Sequence, residues 1–248
     1  MKREEKLAMF FISDLHIGLR DAKTEQLKME KLERLFAIIK AEGRSLYMLG
    51  DIMDYWMEFR HLIPKGFTRF LCLLADLVRN NIEVVYVAGN HDFYLGRYFD
   101  EEIGLKSLYG VNELLLDGRK FIISHGDGLG KGDWGYKLFT RMVRNRFNIA
   151  LLSGFHPDLA IALMKKLSQL SRNHKRVDHV FDVNRLLNVA EVLTGEKEFD
   201  YFVCGHNHVK GISELSNGKS RYVNLGTWIE GSFPYGVFNN GVFQLKEL

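Results

Sequence analysis

Five short apolar runs punctuate the chain: LAMFFI at 7–12, LYML at 46–49, EVVYVA at 83–88, KFIIS at 120–124 and YFVC at 201–204. Each is continuous rather than alternating, the pattern of a strand covered on both faces. Between the first three, Leu32, Leu35, Phe36 and Ile39, then Phe70, Leu73, Leu74 and Leu77, fall at helical spacing. Strand and helix alternate, which predicts a layered α/β core. Near the end, RYVNLGTW (221–228) and YGVFNNGVFQL (235–245) predict further strands, the second run folding back at an Asn-Gly turn. No repeat, low-complexity tract or linker interrupts the pattern.

Residues 131–176 break the rhythm. WGYKLFTRMVRNRFNIALL (134–152) and DLAIALMKKLSQLS (158–171) read as two helices inserted between the fourth and fifth strands. The chain therefore divides into a core, 1–130 and 177–248, and an inserted helical cap, 131–176. Trp134, Leu138 and Met142 follow i, i+4, i+8, with Phe139, Val143, Phe147 and Ala150 on an adjoining stripe; Leu159, Ala162, Leu163, Leu167 and Leu170 form a second apolar face. The insert holds ten Lys and Arg against Asp133 and Asp158, while the whole chain is only +3. The core is therefore net acidic and the insert strongly basic, an asymmetry that the total hides.

The remaining composition sets bounds. The 248 residues, 46% hydrophobic and 26% charged, are ordinary for one globular core with an appended subdomain. Cys72 and Cys204 form no C-x-x-C pair, which fits a reducing, cytoplasmic compartment. The opening MKREEKLAMFFISD lacks the apolar length and cleavage site of a secretory signal. No stretch approaches the ~20 apolar residues that span a bilayer, so the chain is expected to be soluble or to lie on a membrane surface.

The chemistry lies just past the end of each strand. After the five runs come Asp14 and His16; Asp51 and Asp54; Asn90, His91 and Asp92; His125 and Asp127; and His206 and His208. Ligands of open α/β sheets bind at the carboxyl ends of strands. Asp and Asn favour turns anyway, yet five successive strand ends bearing such groups exceed what turn chemistry requires. Gly50, Gly89, Gly126 and Gly205 mark sharp turns or close approaches at the same places. Asp14, His16, Asp51, Asn90, His125, His206 and His208 are too many for one ion and enough for two if a carboxylate bridges. Mixed imidazole and oxygen donors suit Mn, Fe or Zn, and paired metals clamp the oxygens of a phosphoryl transfer.

The motifs D-x-H (14–16), G-D-x-x-D (50–54), G-N-H-D (89–92), the later His125 and G-H-x-H (205–208) resemble the calcineurin-like metallophosphoesterase family, in family order. The resemblance implies a four-layer α/β/β/α sandwich. It implies that Asp14, His16 and His208 hold one metal, that Asn90, His125 and His206 hold the other, and that Asp51 bridges them. It further implies that His91, paired with Asp92, contacts the scissile phosphate and protonates the leaving group. Asp54 would orient a ligand, or else cap a helix.

GDIMDYW, GNHDFYLG and SHGDGLGKGDWGYKLFTRMVRN are similar to the UDP-2,3-diacylglucosamine pyrophosphatase branch of that family, which carries a helical cap at this point. That similarity implies two Mn²⁺ ions and a metal-bridging hydroxide that attacks a nucleotide-diphospho-lipid substrate, releasing UMP at the inner face of the cytoplasmic membrane. Trp56, Phe93, Tyr94, Asp133, Tyr136, Phe139, Phe147, Ser171 and Lys175 are its candidate substrate contacts. The chain departs from that branch at His91, where the best-known members have arginine, and in GHNHVK, where GHTH before proline is more usual. A basic, aromatic-laced cap could also meet nucleic acid, but its place directly after His125 favours a lipid substrate. Another hydrolase of the same fold, acting on dinucleotides, cyclic nucleotides or phosphoproteins, is the alternative. A non-catalytic scaffold would be expected to have lost ligands, and all seven are present.

Overall fold

A computed structural model describes residues 8–130, 145–166, 168–169 and 184–248. Strands β1 (Ala8–Ile12), β2 (Gly43–Leu49) and β3 (Glu83–Val87) lie side by side and parallel. Helices α1 (Ala22–Glu42) and α2 (Thr68–Arg79) make the crossovers. Asp21 caps α1, accepting from the backbone N–H groups of Lys23 and Thr24. With β4 (Lys106–Leu108), β10 (Pro234–Asn239) and β11 (Val242–Glu247) they form a six-stranded sheet, ordered β11-β10-β1-β2-β3-β4. Asn240 and Gly241, both at positive φ (50° and 78°), make the expected tight turn between the last two strands.

The second sheet is β5-β6-β7-β9-β8: Asn112–Leu116, Arg119–Ile123, Tyr201–Cys204, Arg221–Asn224 and Gly211–Glu214. Side-chain alternation shows how the sheets stack. Met9 and Phe11 of β1 join Tyr47, Leu49, Val85 and Val87 in a core shared with Phe121, Ile123, Val203 and Val223 of the second sheet. Ala8, Phe10 and Ile12, on the other face of β1, pack with α1 and α2. The outer face of the second sheet, Ile122, Phe202 and Tyr222, is covered by Leu186 and Ala190 of a further helix, Arg185–Thr194. Helices, sheet, sheet and helix give the four-layer sandwich. A strand buried on both faces must be apolar at every position, which is why the continuous runs marked these strands. Strands β4, β5 and β8 carry no such run because they are edge strands, short or half exposed.

Of the inserted segment, α3 (Arg146–Ser153) and α4 (157–166, with 168 and 169 also helical) are described. Residues 131–144 and 170–176, with most of the first helical stripe, lie outside the described residues. The apolar face expected of the second helix is not the face that packs on the core. Leu159 and Leu163 are exposed, whereas Ala160 and Met164 are buried in the helix-side core. Among the described residues no helix is long and apolar enough to cross a membrane.

Candidate metal centre

The three parallel strands β1, β2 and β3 and the parallel pair β6 and β7 all end at the same edge, on either side of the inter-sheet core. Backbone bonds tie the turns beyond them: Asp14 N to Gly50 O (3.1 Å), His16 N to Asp51 O (2.9 Å) and Gly205 N to His125 O (3.0 Å). Asp14, His16, Asp51, His206 and His208 all adopt left-handed backbone, with φ between 47° and 71°. Such backbone costs an L residue about 1–2 kcal/mol, and here it turns five side chains inward. The turns leave no room for a larger residue at Gly205, where a Cβ would stand 2.1 Å from Asp14 Oδ2.

All seven candidate ligands converge. On one side His206 Nδ1, His125 Nε2 and Asn90 Oδ1 lie 3.0–3.2 Å from one another. On the other, His208 Nε2 is 3.1 Å and His16 Nε2 3.9 Å from Asp14 Oδ1. Asp51 Oδ2 stands between them, 3.3 Å from His125 Nε2 and 3.6 Å from His16 Nε2. Ligand bonds of about 2.1 Å put donors on one ion about 3–3.4 Å apart, which the shorter of these distances match, while the two measured from His16 Nε2 are longer. Asp14 Oδ1, His16 Nε2, Asp51 Oδ2 and His208 Nε2 are buried without a hydrogen-bond partner among the described residues, the 3.1 Å approach of Asp14 and His208 lacking hydrogen-bond angles. Leaving such groups unmet costs about 1–3 kcal/mol each. Oxygen and imidazole donors aimed into one space fit a pair of divalent cations.

The electrostatics agree. Burial alone would raise the Asp51 carboxyl, but the charges of His125, His91 and His16 hold it well below the usual carboxylate range. Asp14 is likewise brought to about 2, burial being outweighed by His208. Burial opposes charge on His125, yet Asp51 pushes it up to about 10. The two carboxylates thus stay ionised in a buried site, and cations answer them.

Neighbouring groups fix the ligands. His125 Nδ1 meets Leu49 O at 2.9 Å, leaving Nε2 for the site. His16 Nδ1 is 3.2 Å from Asp54 Oδ1. The helix-cap alternative for Asp54 falls, since no described helix begins between it and Thr68. Lys28 is buried on α1, its Nζ donating to His16 O (3.0 Å) and Glu25 Oε1 (3.1 Å). Its signal was present in the sequence, for Lys28 shares helical spacing with Leu32, Leu35 and Ile39.

His91 faces the centre, its Nε2 3.9 Å from Asp51 Oδ2. The pairing expected between His91 and Asp92 is not what Asp92 makes. The Asp92 carboxylate accepts from the backbone N–H groups of Asp51, Ile52, Met53 and Gly89, and from the Tyr86 hydroxyl. It clamps the Asp51 turn and does not reach into the site. His91 Nδ1 instead meets Asp54 O (3.2 Å) and Ser168 Oγ (2.9 Å), the latter from α4 and absent from the sequence-derived set.

The candidate substrate contacts fare differently. Trp56 is a core residue: wholly buried, it packs on Phe67 and Phe99 and donates from Nε1 to Leu95 O at 3.2 Å. Phe93 is buried and Tyr94 half-buried against the same core. Phe147 is 74% exposed on α3. Asp133, Tyr136, Phe139, Ser171 and Lys175 lie outside the described residues.

Comparison with known proteins places these features in a family setting. The profile of the calcineurin-like phosphoesterases matches residues 8–210. The UDP-2,3-diacylglucosamine hydrolase of Porphyromonas gingivalis is 29% identical, over 97% of this chain and 97% of that protein. The enzyme of the same name from Salmonella typhi is 30% identical over 90% and 91%. That from Neisseria gonorrhoeae is 30% identical over 88% and 89%. A solved archaeal phosphodiesterase shares the fold, with a TM-score of 0.50 at 14% identity over 98% of this chain and all of that one.

Proposed function

The chain belongs to the calcineurin-like phosphoesterase family and is a metal-dependent hydrolase, and on that premise we propose that it cleaves the diphosphate of UDP-2,3-diacylglucosamine to UMP and 2,3-diacylglucosamine 1-phosphate. One observation carries the choice of substrate: similarity to hydrolases of that name runs nearly end to end, through the insertion as well as the core. Mn²⁺ is the proposed cofactor: imidazole and oxygen donors without thiolate suit Mn, Fe or Zn, and the resemblance to the pyrophosphatase branch favours Mn²⁺ among them.

Asp14, His16 and His208 would hold one ion, Asn90, His125 and His206 the other, with Asp51 shared. Bound there, the pair would supply a water of lowered pKa and neutralise charge developing on the phosphoryl oxygens. The protein does the rest. Leu49 and Asp54 orient the ligand imidazoles, and Asp92 fixes the turn that aims Asp51. His91 presents Nε2 to the same space; as the imidazolium it would hydrogen-bond the scissile diphosphate and give its Nε2 proton to the departing phosphate. The segment 131–176 serves as the cap for the acyl chains. Its apolar faces meet the lipid, its Lys and Arg meet anionic headgroups at the inner face of the cytoplasmic membrane, and Phe139, Phe147, Ser171 and Lys175 are the contacts assigned to it.

The test is Mn²⁺-dependent release of UMP from UDP-2,3-diacylglucosamine beside its deacylated analogue. Release from the acylated substrate at a kcat/KM at least about a hundredfold higher, as burial of two acyl chains allows, is the expected result. Equal rates on both would remove the lipid from the assignment. Cleavage of neither, with a small diester still hydrolysed, would favour another substrate of the same chemistry.

A further inference from the structure

Among the described residues, the insertion reaches the centre at Ser168. Along α4, Ala160 and Met164 at i and i+4 are buried against the core, and Ser168 at i+8 continues that face at 7% exposure. Lys165 Nζ lies over the Tyr55 ring, 4.8 Å from its centroid, at the same contact. A serine on an otherwise apolar docking face needs polar partners, and it has them. Ser168 Oγ donates to Asp54 Oδ2 at 3.0 Å and lies 2.9 Å from His91 Nδ1. Asp54 O is also 3.2 Å from that nitrogen.

Counting protons assigns the bonds. A hydroxyl has one hydrogen, and a carboxylate or backbone carbonyl can only accept. With the serine hydrogen directed to Asp54, both neighbours of His91 Nδ1 are acceptors. Nδ1 must therefore carry a hydrogen, so in the neutral ring Nε2, turned toward Asp51 and the ligands, is the basic nitrogen that takes up the proton His91 gives in the reaction.

We propose that Ser168 is a positioning residue: by accepting from His91 Nδ1–H it fixes the tautomer and tilt of His91, so that His91 is set for the reaction only when α4 is packed on the core as seen here. The proposal rests on reading His91 as the group that meets the scissile phosphate. It gives the insertion a second task beside binding substrate, that of completing the site.

Long-range ¹H–¹⁵N spectra of the metal-free protein at pH 8, with His91 assigned by its loss in His91→Gln, read the tautomer without substrate or metal. The wild type should show the Nδ1–H pattern, and Ser168→Ala should shift it toward Nε2–H. With Mn²⁺ and bis(p-nitrophenyl) phosphate, Ser168→Ala should lower kcat about tenfold, the worth of one well-placed hydrogen bond, with KM within about twofold. In a His91→Gln background the same change should cost nothing more. An Nε2–H pattern in the wild type, or equal losses in both backgrounds, would overturn the proposal. Neither readout uses the nucleotide lipid, so a failure of that substrate assignment would show separately, as no UMP release beside an intact tautomer result.

Discussion

At the scale of single residues, the centre depends on backbone that most side chains avoid. Five of its seven candidate ligands have positive φ, while the other non-glycine residues so placed among the described residues, Asn81, Asp117 and Asn240, are Asn or Asp, the types that tolerate it most readily. Strain of this kind persists only where neighbours hold it. Gly89 is one such neighbour, since a Cβ there would stand 2.4 Å from both Asp51 N and Asp51 Oδ1. Gly89→Ala should therefore displace Asp51, cost about 2 kcal/mol of stability and abolish tight binding of the second ion, measured by denaturant melts and metal titration. Retained stoichiometry would show the turn to be more tolerant than its packing implies. The coupled charges give a pH signature. His125, pushed up to about 10 by Asp51 in the metal-free protein, titrates near its ordinary 6.5 once unfolded. Its stabilising charge is complete below about 6.5 and lost as pH rises toward 10. The Tm of metal-free protein should fall across that window, and His125→Ala should flatten the fall; parallel curves would refute the pairing. The candidate ligand positions were legible in the sequence because each closely follows a buried strand. The work of Asp92 was not, because three of its partners are backbone N–H groups some forty residues upstream, brought near only by the parallel pairing of β2 and β3.

At the scale of elements, periodicity revealed the helices, but the choice of face waited on packing. In α4, Leu159 and Leu163 are as apolar as Ala160 and Met164, and the pattern alone does not say which pair meets the core. The structure buries the second pair, bringing Ser168 to His91. Met164→Ala should then cost about 2 kcal/mol, a Tm fall of roughly 4–8 °C for a chain of this size. Leu163→Ala, on the exposed side, should stay within about 0.5 kcal/mol. Calorimetry of the two variants separates these outcomes, and the reverse order would mean the helix docks by its other face. The edge strands β4, β5 and β8 were hidden for a related reason. With one side unpaired and their faces partly in water, they need no continuous apolar run.

At the scale of the whole molecule, two sheets packed face to face bring the ends of five parallel strands to one edge, and the helices cover the outer faces of the sheets. Ten of the chain's Lys and Arg residues fall within 131–176, while the rest of the chain, which carries the candidate ligand carboxylates, is net acidic. That division is the one the proposed function calls on, a core that collects cations and an insertion proposed to meet anionic lipid. The claim on which everything else depends is that the centre holds two ions through Asp51. The direct test is metal content, measured by elemental analysis after loading with Mn²⁺ and desalting, for wild type and Asp51→Asn. The expected result is two ions per wild-type chain, and at most one in the variant, with turnover lost and the fold kept. One ion in the wild type, or two ions and full turnover in Asp51→Asn, would contradict the dimetal account.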